Sequence, residues 1–200
     1  YWNLDKHVKN LQSFGQTVVI AYNKFATDTD EEIEVLRKHC EEMGCGFAVN
    51  SAFAEGGNGA IELANLVVKT IDERPSAPLY FAYDDNDSVE EKIEKVAFNL
   101  YGAGSVTLSD SAKAMIEEIK KLGAEKFPIC IAKTQYSFST DAKAYGPTEG
   151  FELHVRDITV NMGAEMIVVI AGPIMRMPGL PKSPQAERID VVNGEITGLS

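Results

Sequence analysis

Two short stretches hold the residue types that can do chemistry here. The first is Asn23-Lys24-Phe25-Ala26-Thr27-Asp28, which sets an amide, an ammonium, an aromatic ring and a carboxylate within one loop. The second is Asn50-Ser51-Ala52-Phe53-Ala54-Glu55-Gly56-Gly57-Asn58-Gly59. Phe53 stands there among small and polar residues, with no helical or strand stripe to belong to. Each ring, taken singly, is also readable as apolar filler under a loop. Taken together, Phe25 and Phe53 suit a clamp for a flat heteroaromatic ligand, each ring contributing on the order of 1 kcal/mol beyond area burial. The glycine run can offer backbone N–H groups to an anion at a helix start. Its plainer reading is a turn with Asn58 capping the next helix.

Other candidates carry less. Asn23-Lys24 with an acid nearby is similar to the Asn-Lys-x-Asp element by which GTPases read a purine. Here position 26 is Ala, the first Asp is Asp28, and no GxxxxGK[ST] phosphate loop occurs anywhere in the chain. His7, His39 and His154 are too scattered for a triad or a metal centre. Lys133-Thr134-Gln135-Tyr136-Ser137 follows an apolar run and reads as a structural turn. Arg176, in the Pro-punctuated stretch 175–181, has the fork that meets a carboxylate bidentately. No catalytic residue and no metal ligand is assigned.

The elements that must position these loops follow from periodicity. Leu4, Val8 and Leu11 share one helical stripe that stops near Gly15. Residues 17–22 form a continuous apolar run, as in a strand covered on both faces. Acids and cap residues crowd 27–32, and Ile33, Leu36, Cys40 and Met43 then recur at helical spacing up to Gly44. A strand at 46–50, a helix bearing Ile61, Ala64, Val68 and Ile71, and a strand at 79–83 complete an alternating series. That order is the mark of a doubly wound parallel sheet, whose ligands sit at the carboxyl ends of its strands. Phe25 and Phe53 both follow strand ends.

Beyond residue 100 the texture changes. Helices are expected at 88–100 and 111–122, and strands at 129–132, 151–160 and 166–171. Phe151, Leu153 and Val155 alternate with polar residues, as on a half-solvated sheet. Asn193-Gly194 between apolar flanks signals a hairpin. The expected architecture is α/β: part of a doubly wound sheet over 1–100, then a smaller α+β domain over 101–200.

With 44% hydrophobic and 24% charged residues the chain can build a core. A net charge of −11 excludes nucleic acid and anionic membrane surfaces as natural partners, because both need clustered cations. No run reaches about 18 apolar residues. Cys40, Cys45 and Cys130 make no even disulfide framework, which fits a reducing cytoplasm. The start without Met, inside an apparent helix, hints at a truncated chain.

Several motifs stand in the order found in formate–tetrahydrofolate ligases. They are Asn23-Lys24-Phe25 with Thr27-Asp28-Thr29, Gly56-Gly57-x-Gly59, Ala132-Lys133-Thr134-Gln135-Tyr136-Ser137, Val155-Arg156-Asp157 and Met177-Pro178-Gly179-Leu180-Pro181. The segment around Ile189-Asp190-Val191 and Gly198-Leu199 is similar to that family's carboxyl terminus. The chain thus resembles about the last third of such a ligase, including a part of its P-loop-NTPase-like domain.

The resemblance implies an enzyme that joins formate to tetrahydrofolate with ATP and Mg²⁺ through formyl phosphate, giving 10-formyltetrahydrofolate. It also implies a homotetramer for the full-length protein and inactivity for this stretch alone, since the phosphate loop is absent from it. The family's pterin-sandwiching positions fall on Phe25 and Phe53, and Val49 falls where an apolar residue meets the pterin. Asn23 and Lys24 are secondary candidates. Phe53 replaces a common Trp, which implies less stacking area and weaker folate binding. Ala26 replaces a Pro that would stiffen the loop, and Glu55 replaces a common Lys. A GTPase-like purine module and an acidic interaction domain without a small-molecule site remain as alternatives.

Overall fold

The computed structural model describes residues 1–146, 148–174 and 181–198. In chain order, helix α1 (Trp2–Ser13) leads into strand β1 (Val19–Asn23), helix α2 (Asp30–Glu42) and strand β2 (Gly46–Asn50). One short turn of helix, α3 (Ala52–Glu55), and a 3-10 stretch (Gly56–Ala60) precede helix α4 (Ile61–Glu73). Helix α5 (Val89–Val96) runs into a π-helical turn (Ala97–Tyr101), followed by β3 (Ser105–Leu108), α6 (Asp110–Leu122) and β4 (Ile129–Ala132). Strands β5 (Glu152–Asn161), β6 (Met166–Ala171), β7 (Asp190–Val192) and β8 (Glu195–Thr197) complete the order.

β1 and β2 pair in parallel, with Tyr22 opposite Val49 and Asn23 opposite Asn50. Parallel neighbours need a long crossover, and α2 supplies it. The Thr29 side chain accepts from the Glu32 N–H while the Glu32 carboxylate accepts from the Thr29 N–H, so a capping box starts α2. Gly44, at φ +74, lets the chain turn off its end. Adjacent residues of β2 face opposite ways. Phe47 joins Ile33 and Cys40 of α2 and Val8 of α1 in one buried cluster, with the Arg37 guanidinium 4.8 Å from its ring centroid. Gly46 turns its other face to Leu66 of α4. Helices therefore cover both faces of β2.

The second core is larger. β3 pairs parallel with β5 and β4 parallel with β6, while β5 and β6 run antiparallel in the order β3-β5-β6-β4. Leu153, Val155 and Ile158 of β5 point inward with Ile167 and Val169 of β6. Val89, Ile93 and Ala97 pack into the same cluster, as do Ala112, Ile116 and Ile119 of α6. Lys92 is buried among them. Its Nζ donates to the Glu125 carbonyl at 2.7 Å and the Phe127 carbonyl at 3.2 Å.

Three expectations need correction. The apolar run 79–83 is no strand: the Ala77 N–H donates to the Gly15 carbonyl and the Tyr80 N–H to the Phe14 carbonyl. Those partners lie in the turn after α1, so no ladder forms, and Leu79, Tyr80 and Phe81 stay exposed. Ser105–Leu108 forms a strand where none was expected; its four residues are too short to show a pattern, and the parallel pairing with β5 makes it. In α4 the expected stripe of Ile61, Val68 and Ile71 is exposed. The buried side carries Thr70, with Leu66 against Gly46, because α4 is apolar around most of its girth and meets the sheet on one side only. The expected hairpin is present: Asn193 (φ 53) and Gly194 (φ 83) turn β7 into β8.

Candidate functional site

The paired ends of β1 and β2 open into a cleft of about 800 Å³. Asn23, Lys24, Phe25 and Ala26 line it from the loop after β1, and Asn50, Ser51, Phe53, Ala54 and Glu55 from the segment after β2. Parallel pairing puts both loops at one end of the sheet, and the Lys24 N–H donates to the Asn50 carbonyl at 3.1 Å, extending the ladder one step. Phe25 is 72% exposed and Phe53 fully so. Rings of that size left in water at the mouth of one cleft are an unsatisfied apolar surface, and a planar ligand between them would cover it.

Each loop is held by its own polar groups. Asp28 Oδ2 accepts from the Phe25 N–H at 2.8 Å and from the Tyr22 hydroxyl at 2.9 Å. The hydrogen bond to Asp28, followed by burial, raises the Tyr22 phenol above its usual 10.0. Asp28 thus closes the turn that presents Phe25, and its accepting oxygen is spent on the loop rather than turned to a purine. Lys24 Nζ meets Asp30 Oδ1 at 3.2 Å, an exposed pair of little energetic weight. On the other side the Ser51 N–H donates to the Gly59 carbonyl at 3.0 Å. Ala60, not Asn58, occupies the N-cap of α4.

Of the residues singled out in the sequence, Asn23, Lys24, Phe25 and Phe53 meet in this cleft. Val49 is half-buried against the cluster containing Phe47 and is not on the cleft lining. The Lys133 loop is a braced turn. Its ammonium donates to the Ser137 carbonyl and, at 3.3 Å, to that of Thr134, and lies 4.8 Å from the Tyr101 ring centroid. Burial lowers its pKa. The histidines lie apart: His39 Nε2 is 2.6 Å from Asp5 Oδ1, His7 packs on the Phe138 ring, and His154 Nδ1 is 2.9 Å from the Thr107 hydroxyl. Arg176 lies outside the described residues. Asn50, Ser51 and Glu55, which also line the cleft, stand in the second stretch singled out in the sequence, although no individual role was assigned to them there. Burial pushes the Cys40 and Cys45 thiols up, which keeps them protonated. Among the described residues no three His, Cys, Asp or Glu side chains gather to hold a metal ion, and no helix is long and apolar enough to cross a membrane.

The sequence profile described as formate–tetrahydrofolate ligase matches residues 1–200. The chain belongs to the formate–tetrahydrofolate ligase family. It is 64% identical over 198 residues to the formate–tetrahydrofolate ligase of Bacteroides fragilis, covering 99% of this chain and 36% of that protein. A formate–tetrahydrofolate ligase of Phocaeicola vulgatus is likewise 64% identical over 198 residues, with 99% and 36% covered. One of Campylobacter curvus is 48% identical over 201 residues, again with 99% and 36% covered. The chain therefore spans a little over a third of the length of these relatives.

Proposed function

We propose that this chain carries the pterin-gripping part of a formate–tetrahydrofolate ligase, with Phe25 and Phe53 as the two walls of a folate slot. One observation supports this reading above the rest: two exposed rings, on segments leaving the same end of two paired parallel strands, line a single cleft. Stacked walls fix the plane of the bicycle and exclude water from both its faces. The cost of ordering the substrate is met before chemistry, which is what transfer of an unstable acyl group requires.

In the whole reaction, formate attacks the γ-phosphate of ATP, releasing ADP and forming formyl phosphate. N10 of tetrahydrofolate then takes the formyl group, releasing inorganic phosphate, to give 10-formyltetrahydrofolate. Mg²⁺ would supply charge neutralisation at the phosphates. The residues of this chain do not fit the phosphate or metal site. No GxxxxGK[ST] loop is present, and no acidic cluster suits a cation among the described residues. No phosphoryl step is therefore assigned to them, and the 200-residue chain on its own is inactive in this reading. β1, β2, α2 and α4 then form part of a larger doubly wound sheet. The chain divides in this reading into a first unit over 1–100 and a second over 101–200, with α5, although inside the first range, packed into the core of the second. The full-length enzyme is a homotetramer in a reducing cytoplasm.

The test is calorimetric titration of the chain with tetrahydrofolate. Phe25→Ala and Phe53→Ala each weaken binding roughly 3- to 10-fold. Unchanged affinity in both variants would overturn the slot and favour an acidic interaction domain. ATP-dependent formylation by this chain without further protein would overturn its assigned inactivity.

A further inference from the structure

The amides at the ends of β1 and β2 form a donor chain with a single sense. The Ala52 N–H donates to Asn50 Oδ1 at 3.2 Å, and a backbone N–H cannot exchange its role for that of acceptor. Asn50 must therefore turn its Nδ2 the other way, where it donates to Asn23 Oδ1 at 2.8 Å. That leaves Asn23 Nδ2 donating to no acceptor among the described residues, on a residue that lines the cleft together with Asn50. The cleft thus carries a donor whose orientation is set from the backbone of α3.

We infer that Asn23 Nδ2 donates to the lactam oxygen of the bound heterocycle, so that the cleft selects a 4-oxo over a 4-amino pteridine. The inference rests on the folate slot proposed above and adds the group that reads the ring edge. The lactam oxygen is the strongest acceptor on the edge of a reduced pterin. Replacing it by an amino group sets donor against donor. One hydrogen bond at a solvent-accessible cleft discriminates by roughly 3- to 10-fold. Stacking on Phe25 and Phe53 is blind to this exchange, because either ring system has the same faces.

The experiment compares tetrahydrofolate with its 4-amino counterpart by calorimetry on the 200-residue chain, with circular dichroism on each variant. The wild-type chain binds the 4-oxo compound more tightly by the stated factor. Asn23→Asp places an acceptor on the cleft wall and reverses the preference. Asn50→Asp reverses it too: a carboxylate at that position cannot donate, so Asn23 turns its Nδ2 toward it and its own oxygen to the cleft. The added charge weakens both ligands alike, which makes the ratio the readout. An equal affinity of the wild-type chain for the two compounds overturns the inference and leaves the slot standing, as does a preference that survives both substitutions. Failure of the wild-type chain to bind either compound overturns the slot and the inference with it.

Discussion

Gly59 is pressed against Ser51 so closely that a Cβ on the glycine would lie 2.5 Å from the Ser51 carbonyl carbon. The Ser51 N–H donates to the Gly59 carbonyl across the same approach. The segment carrying Phe53 is therefore a closed loop whose two ends touch. Gly59→Ala forces backbone apart and costs about 1–3 kcal/mol, read as a lower urea midpoint, and folate affinity falls with it. Gly57→Ala is the control, since nothing lies within 4 Å of its Cβ position. Equal behaviour of the two variants would contradict this account of the loop.

Tyr22 and Asp28 give a spectroscopic prediction. The hydrogen bond to Asp28 raises the phenol pKa above 10.0, so the folded state holds that proton more tightly than the unfolded chain. The stability this contributes is whole below the unfolded value of about 10 and is lost as pH rises through the folded value. In an alkaline absorbance titration, with Tyr22→Phe as the subtraction reference, Tyr22 ionises later than an ordinary tyrosine. Asp28→Asn moves it back toward about 10 and loosens the turn beneath Phe25. Ordinary ionisation of Tyr22 in the unaltered chain would remove Asp28 from its assigned place.

Lys92 is 0% exposed and is held by carbonyls rather than by a carboxylate. Burial lowers its pKa below 10.5, so here the sign is opposite. The folded state binds this proton less tightly, and stability rises as pH climbs through the folded value toward 10.5. Compared with Lys92→Met by denaturant unfolding, the unaltered chain gains ground as the pH climbs toward the unfolded lysine value of 10.5. A pH-independent gap between the two would contradict the burial of this charge.

Local chemistry made much of the framework readable. Caps and first-turn acids marked α2, alternation marked β5, and Asn193-Gly194 marked the hairpin. The run 79–83 misled because apolar content says nothing of a ladder partner, and its N–H groups went to Phe14 and Gly15 instead. β3 was invisible for the converse reason: its parallel neighbour β5 defines it. The convergence of Phe25 and Phe53 on one cleft was readable, since the parallel-strand rule puts both loops at one sheet end. The Asn23–Asn50 amide pair and the Gly59–Ser51 approach were not, because each depends on register and on how a loop folds back.

The most direct test of the two-walled slot is NMR of the chain with its phenylalanine rings isotopically labelled, titrated with tetrahydrofolate. A bicycle held between the rings shifts the ring signals of both Phe25 and Phe53 upfield, along a single saturation curve. Movement of one ring alone, or of neither at saturation, would contradict the slot.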